Sequence, residues 1–151
     1  MPMTQTILLV EDDENDVLFM KMALEMTGVT NPLQVAVHGR EALHYLNGID
    51  RYSDRQTYPL PCLVLLDLKL PYVTGLEVLK KIRQDHGLRE MIVLILTSSQ
   101  EESDMDQAYS LGANAYVVKP PNIDKLRELT KAIKDFWLVF NMPPQLVRTP
   151  R

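Results

Sequence analysis

The stretch LVLLDLKLPYVTGLEVL, residues 63–79, indicates the fold class more directly than any other part of the chain. Four consecutive apolar residues, Leu63–Leu66, are followed at once by a carboxylate, Asp67. Uninterrupted apolar runs of this length are typical of strands covered on both faces, as in parallel sheets. Pro71 and Gly75 then interrupt the chain before apolar residues recur at helical spacing. The stretch therefore predicts a strand, a loop and a helix, with a carboxylate at the carboxyl end of the strand.

The same alternation of strand and helix recurs along the rest of the chain. Short, mostly apolar runs predict four further strands at residues 7–10, 33–37, 91–96 and 115–118. Helical spacing predicts helices at residues 15–26, 41–46, 76–85, 102–111 and 123–140. Residues 48–61 fit neither pattern and are predicted to form a surface loop. Five strand–helix units joined by right-handed crossovers predict an α/β fold with a doubly wound parallel sheet and helices on both faces.

Length and composition favour one globular domain in the cytoplasm. The 151 residues are 46% hydrophobic and 24% charged, which is ordinary for a globular protein. The single cysteine, Cys62, cannot form an internal disulfide and so favours a reducing compartment. A net charge of −4 argues against nucleic acid or an acidic membrane as partner. No apolar run approaches the ~20 residues needed to cross a bilayer, and residues 1–6 do not resemble a signal peptide.

Polar side chains follow four of the predicted strands, at the sheet edge where doubly wound proteins bind their ligands. They are Glu11, Asp12, Asp67, Thr97 and Lys119. Several carboxylates in one cleft repel one another and require a hard divalent cation, for which Mg²⁺ is the best match. A carboxylate beside such a cation can act as a nucleophile toward a phosphoryl group, and a hydroxyl and an ammonium can hold the remaining oxygens. These residues predict a site that forms an acyl phosphate on an aspartate.

Four stretches in order resemble the receiver domain of two-component response regulators over nearly the whole chain. They are ILLVEDDENDV (7–17), LVLLDLKLPYVTGLEVL (63–79), VLILTSSQ (93–100) and GANAYVVKP (112–120). The resemblance implies a flavodoxin-like fold with strand order 2-1-3-4-5, a receiver domain at residues 4–141 and a tail at residues 142–151. It also implies that Asp67 accepts a phosphoryl group from the phosphohistidine of a sensor histidine kinase or relay protein. Such a module catalyses its own phosphorylation and is not a turnover enzyme.

The resemblance also implies which residues bind the metal. Asp12 would bind Mg²⁺ directly, and Glu11 would act largely through water. Asp67 and the backbone carbonyl of Lys69 would complete the protein ligands. In the family, the side chain two residues past the acceptor tunes attack by water on the acyl phosphate. Because that residue is Lys69 here, we expect a long-lived phosphoryl group.

The remaining site residues correspond to a conformational switch in the family. Thr97 and Lys119 would contact the phosphoryl oxygens, and Tyr116 would be the switch aromatic that turns inward when Thr97 moves. The change would reach the face formed by helix 4, strand 5 and helix 5. Many receivers have a cis peptide bond at the position of Lys119–Pro120, and the sequence leaves cis or trans open.

The C-terminal stretch AIKDFWLVFNMPP, residues 132–144, resembles the stand-alone response regulators that pair with cyanobacterial and bacterial phytochrome kinases. The resemblance implies a phytochrome-type histidine kinase as partner and an output through a protein partner or a homodimer. Trp137 and Phe140 extend past the end of a minimal receiver, so we expect them to contribute to an intermolecular face.

Other interpretations of the same residues stay open at this point. Asp13, Glu14 and Asp16 are interpreted as a solvated helix start, where acidic side chains are favoured without any metal. A Mg²⁺-dependent phosphatase of the haloacid dehalogenase type also uses a strand-end aspartate, but it needs a second aspartate where this chain has Lys69. A nucleotide-binding fold would need a glycine-rich loop after the first strand, where this chain has acidic residues that would repel phosphates. A phosphate-independent binding module of receiver fold is a further alternative.

Overall fold

A computed structural model describes residues 5–146 of the chain. Its five parallel strands are β1 (Ile7–Val10), β2 (Leu33–Ala36), β3 (Leu63–Leu66), β4 (Val93–Thr97) and β5 (Ala115–Val118). The α helices are α1 (Glu14–Met26), α2 (Gly39–Asn47), α3 (Gly75–Gln84), α4 (Glu102–Ser110) and α5 (Ile123–Ile133). The strand order is 2-1-3-4-5, so the predicted doubly wound fold is confirmed.

The side chains of the central strands alternate between two apolar layers, one on each face of the sheet. In β1, Leu8 and Val10 belong to the layer that also contains residues of α2 and α3. Ile7 and Leu9 belong to the opposite layer, with residues of α1 and α5. Every residue of β1, β3 and β4 is buried because these strands have a neighbour on each side and helices on both faces. The continuous apolar runs in the sequence result from this double coverage.

Strand register brings the polar strand ends to one edge of the sheet. Val10 pairs with Leu66, and the backbone N–H of Asp67 donates to the Val10 carbonyl at 3.1 Å. Between β4 and β5, the backbone N–H of Lys119 donates to the Thr97 carbonyl at 2.7 Å. The residues at the carboxyl ends of β1, β3, β4 and β5 therefore meet at the same edge.

The prediction of a surface loop at residues 48–61 is wrong for part of that stretch. It contains a 3₁₀ turn, Asp50–Ser53, and Tyr52 is only 7% exposed. The Tyr52 ring packs against Tyr45 of α2 and Tyr58 of the loop, at centroid distances of 5.1 and 4.9 Å. Aromatic packing of this kind fixes a segment that its irregular sequence would otherwise leave on the surface.

The predicted helix over residues 123–140 is present, but it is α-helical only as far as Ile133. After α5 the chain continues as a π-helical segment, Lys134–Phe140. A π-helical turn holds more residues than an α-helical turn, so side chains rotate away from the face predicted at α-helical spacing. Trp137 still packs partly against the core, whereas Phe136 and Phe140 are 53% and 75% exposed. The other predicted elements are present, with their ends within two residues of the predicted ones.

Several predictions concern residues outside the described part of the chain. The structure does not describe residues 1–4 or 147–151. These ranges include the start of the predicted domain at residue 4, most of the stretch compared with a signal peptide, and the second half of the predicted tail. Within residues 5–146, every helix is too short or too polar to cross a lipid bilayer.

Candidate functional site

Three carboxylates meet at the carboxyl edge of the sheet. Glu11 and Asp12 follow β1, Asp67 follows β3, and an oxygen from each lies within 4.8 Å of the others. Glu11 and Asp67 are only 3% and 5% exposed, whereas Asp12 is exposed to solvent. Burying carboxylates this close together is unfavourable unless positive charge balances them. The structure thus brings together the three side chains that the sequence predicts as metal ligands.

The ammonium group of Lys119 lies among three carboxylates. Its Nζ atom is 2.6 Å from Glu11 Oε1, 2.8 Å from Asp16 Oδ2 and 3.0 Å from Asp67 Oδ2. Its contact with Asp67 agrees with the predicted position beside the acceptor. The contact with Asp16 contradicts the interpretation of that residue as part of a solvated helix start. Helical side chains point back toward the helix N-terminus, so an acid in the first turn of α1 is directed toward this edge of the sheet, and that signal could have identified Asp16.

The other two acids at the start of α1 behave as predicted. Asp13 caps α1, because its side chain accepts hydrogen bonds from the backbone N–H groups of Asn15 at 2.8 Å and Asp16 at 3.1 Å. Glu14 is exposed and makes no ion pair within residues 5–146. The three acids at the start of α1 thus have different roles: one is a cap, one is solvated and one pairs with Lys119.

Burial and charge shift the proton affinities of the site in opposite directions. Burial raises the pKa of Glu11 to about 7; hydrogen bonding to Lys119 opposes the rise and the charge of Asp67 adds to it. Burial by itself lowers the pKa of Lys119, but hydrogen bonds to Asp16, Glu11 and Asp67 outweigh it and raise that pKa above its ordinary value. Lys119 is therefore an ammonium ion at neutral pH. One ammonium among several carboxylates leaves this edge of the sheet negatively charged, which suits a cation.

Thr97 and Tyr116, the predicted switch pair, contact the same residue. Thr97 is completely buried, and its Oγ1 accepts a hydrogen bond from the backbone N–H of Ser99 at 3.3 Å. The Tyr116 hydroxyl donates to the Ser99 carbonyl at 3.0 Å. The Ser99 hydroxyl in turn donates to Asp104 of α4 at 2.5 Å. Ser99 therefore links Thr97, β5 and α4, a connection that no sequence spacing indicates.

Lys69 lies next to the acceptor through its backbone. Its N–H donates to Asp67 Oδ1 at 3.2 Å, and its side chain is exposed to solvent. Metal binding by its backbone carbonyl stays a prediction. The described residues contain no cis peptide bond, so the Lys119–Pro120 bond is trans.

The first residue of α3 touches the backbone of the acceptor. The Gly75 N–H donates to the Leu68 carbonyl at 3.1 Å. A β-carbon at Gly75 would collide with the Asp67 carbonyl oxygen and would lie 2.7 Å from the Leu68 Cα atom. Only glycine allows α3 to approach the loop after β3 this closely. The position of Asp67 therefore depends on a residue with no side chain.

Comparison with known proteins gives one consistent family. The response regulator receiver domain family matches residues 7–131. The probable methanogenesis regulatory protein FilR2 of Methanothrix harundinacea is 38% identical over 138 residues, which are 91% of this chain and 86% of FilR2. Response regulator Rcp1 of a Synechocystis strain is 34% identical over 134 residues, which are 89% of each chain.

Solved structures of similar proteins agree with this. The crystal structure of the phosphorylated cyanobacterial phytochrome response regulator RcpA has a TM-score of 0.87 at 34% identity, covering 94% of this chain and 99% of RcpA. The crystal structure of the Mn²⁺-bound form of Rcp1 has a TM-score of 0.84 at 33% identity, covering 93% of this chain and 99% of that one.

Proposed function

This chain belongs to the response regulator receiver domain family, and from that premise we propose that its Asp67 accepts a phosphoryl group from the phosphohistidine of a histidine kinase or relay protein. The observation that carries the proposal is the position of Asp67. Its Oδ2 lies 3.0 Å from the Lys119 ammonium, while the same carboxylate lies within 4.8 Å of the Glu11 and Asp12 oxygens. The proposed nucleophile, the ammonium group of a lysine and the proposed metal ligands thus lie at one edge of the sheet.

The acidic cluster fits a divalent metal ion, and we propose Mg²⁺. Carboxylate oxygens of Glu11, Asp12 and Asp67 form a hard, all-oxygen donor set, and the exposure of Asp12 leaves room for water ligands. The Mn²⁺-bound structure of the relative Rcp1 supports a hard divalent cation here. When bound, such an ion supplies positive charge to the phosphoryl oxygens and offsets their repulsion from the carboxylates.

The proposed reaction forms one bond and breaks one. An oxygen of Asp67 attacks the phosphorus atom, the phosphorus–nitrogen bond of the phosphohistidine breaks, and the histidine leaves with the electron pair of that bond and takes up a proton. Lys119 and the hydroxyl of Thr97 are proposed to donate hydrogen bonds to the phosphoryl oxygens. The chain orients the reacting groups and supplies charge. Each chain accepts one phosphoryl group per reaction, and that group stays on the protein.

The added phosphoryl group is proposed to switch the face formed by α4, β5 and α5. The acyl phosphate carries about −1.5 to −2 charges where the free carboxylate carried one, and its oxygens attract Thr97. Because Thr97 and Tyr116 both bond to Ser99, a shift of Thr97 also changes the partner of the Tyr116 hydroxyl. Tyr116 lies 6.5 Å from the Tyr109 ring of α4. Such a link biases an equilibrium between two arrangements of the face.

The proposed partners follow from the relatives. RcpA is described as a phytochrome response regulator, which supports a phytochrome-type histidine kinase as the phosphoryl donor for this chain. The exposed ring of Phe140 supports a homodimer or a protein partner at the C-terminal end. We therefore propose that partner binding or dimerisation through this region is the output.

The experiment that tests the function is intact-mass measurement after incubation with acetyl phosphate and Mg²⁺. Wild type should gain one phosphoryl group, and Asp67→Asn or addition of a metal chelator should prevent the gain. Rapid hydrolysis of acetyl phosphate without a stable adduct would indicate a phosphatase, for which the second aspartate is replaced here by the exposed Lys69. Neither adduct nor hydrolysis would indicate a phosphate-independent binding module.

A further inference from the structure

The Lys119 ammonium has three hydrogen-bond donors and three carboxylate neighbours. Two of these neighbours, Glu11 and Asp67, belong to the acidic cluster that fits a divalent cation. The third, Asp16, is not part of that cluster, yet its Oδ2 lies 2.8 Å from Nζ. Asp16 is therefore the one carboxylate on Lys119, among the described residues, that a cation in the cluster would leave to the lysine.

The pair of Asp16 and Lys119 lies beside a cavity at this edge of the sheet. Asp16 and Lys119 both line a cavity of about 240 Å³, whereas Asp12 and Asp67 do not. Apolar side chains such as Phe19 of α1 form much of the wall of this cavity. Ion pairs are stronger beside apolar walls than in open water. The surroundings thus strengthen the Asp16–Lys119 pair, although the Asp16 side chain is 40% exposed.

We propose that Asp16 is a positioning residue, which keeps Lys119 beside Asp67 when a divalent cation occupies the acidic cluster. The inference rests on the proposed function. A cation held by Glu11 and Asp67 would compete with Lys119 for the negative charge of these two carboxylates, and its own positive charge would repel the ammonium. Asp16 gives the ammonium a partner that the cation does not share. Lys119 then stays within reach of the incoming phosphoryl oxygens.

Removing the Asp16 carboxylate has a defined consequence for metal binding. Without Asp16, Lys119 depends on Glu11 and Asp67 alone and competes with the cation for these two carboxylates. Metal affinity then falls, and metal that does bind displaces the lysine. If Lys119 is absent, no such competition exists, and loss of Asp16 removes only a distant charge. The effect of Asp16 on metal affinity therefore depends on Lys119.

The test is a double-mutant cycle on Mg²⁺ affinity, measured by titration calorimetry without any phosphoryl donor. The proteins are wild type, Asp16→Asn, Lys119→Ala and the double variant, with Glu14→Gln as the matched control for loss of one charge from the same helical turn. Thermal unfolding checks that each variant is folded, and Asp16→Ser serves as a second substitution. Asp16→Asn should lower the affinity about fivefold in the presence of Lys119, a typical coupling between residues in contact. In the Lys119→Ala background, it should lower the affinity no more than Glu14→Gln does.

Two results would overturn the inference while leaving the proposed function intact. One is an equal loss of affinity with and without Lys119, which would make Asp16 a distant charge only. The other is a gain of affinity in Asp16→Asn. If wild type binds no Mg²⁺ at all, the metal-dependent function itself fails, and the inference fails with it.

Discussion

The Glu11 side chain is almost completely buried, and its Oε1 atom lies 2.6 Å from the Lys119 ammonium. Burial raises the pKa of its carboxyl group to about 7, so a proton competes with a metal ion at this residue near neutral pH. Below the raised pKa the proton is bound, and above it the carboxylate is free to act as a ligand. The affinity for a metal ion should therefore depend on pH through the Glu11 carboxyl group.

The predicted consequence is that Mg²⁺ affinity falls by about tenfold between pH 8 and pH 6, as expected for one competing proton with a pKa near 7. Glu11→Gln should bind Mg²⁺ more weakly but with a much smaller dependence on pH in this range. Titration calorimetry at several pH values measures both. An affinity for wild type that does not change between these pH values would refute the assignment of Glu11.

Lys69 is predicted to protect the acyl phosphate from water. Its side chain lies two residues past Asp67 and is exposed, where it can cover the path of the attacking water. Lys69→Ala should speed loss of the phosphoryl group about threefold, which corresponds to about 0.7 kcal/mol of barrier. Decay of the phosphorylated protein, followed by intact mass after removal of acetyl phosphate, measures it, with the exposed Lys80→Ala on α3 as control. A half-life of seconds in both wild type and Lys69→Ala would contradict the prediction.

Residues of the site differ in how far their positions could be predicted from the sequence. Asp67 and Lys119 follow apolar strands directly, so the rule that ligands bind at the carboxyl ends of strands locates them. Asp16 resembles the solvated acids that are favoured in any first helical turn. Its pairing with Lys119 depends on how α1 lies against the end of β5, and contacts between elements that far apart in sequence leave no local pattern.

At the scale of elements, the contact between α3 and the acceptor loop makes Gly75 a structural requirement. We predict that Gly75→Ala lowers the free energy of unfolding by about 1–3 kcal/mol, as is usual for overpacking. It should also slow phosphorylation, since relief of the collision moves the Asp67 backbone. Denaturant unfolding and phosphorylation by acetyl phosphate measure the two effects.

The matched control is Gly39→Ala at the start of α2. A β-carbon there would also collide with backbone, at the Val73 carbonyl oxygen, but not at Asp67. Gly39→Ala should destabilise the fold and, while folded, still accept a phosphoryl group at nearly the normal rate. Wild-type stability and phosphorylation in Gly75→Ala would show that α3 can retreat without moving the acceptor.

Elements covered on both sides were the most predictable ones. Continuous apolar runs indicate β1, β3 and β4 because a strand with a neighbour on each side and helices on both faces buries every one of its residues. The π-helical segment Lys134–Phe140 was not predictable, since its apolar residues fit an α-helical stripe about as well. The buried position of Tyr52 results from contacts with Tyr45 and Tyr58, and a search for periodic patterns does not detect such clusters.

At the scale of the whole molecule, the π-helical segment contains two aromatic side chains that differ in burial. Trp137 packs partly against the core of its own domain, and Phe140 is 75% exposed. We predict that Phe140→Ser weakens the proposed homodimer and changes the free energy of unfolding of the isolated chain by no more than about 0.5 kcal/mol. Light scattering over a range of protein concentrations measures the first effect.

Trp137→Ala is the contrasting variant. It should lower the free energy of unfolding by about 1–3 kcal/mol, less than for a fully buried tryptophan, because the ring is only partly buried. If both the free and the phosphorylated wild type stay monomeric at all concentrations, the proposed homodimer is contradicted and a different protein is the partner.

The most direct test of the central claim is to identify the residue that carries the phosphoryl group. Borohydride reduction of an acyl phosphate converts the modified aspartate to homoserine, which peptide mass spectrometry can locate. After incubation with acetyl phosphate and Mg²⁺, we predict homoserine at position 67 and at no other carboxylate. Modification of Asp12, Asp16 or Glu11 instead of Asp67 would contradict the account.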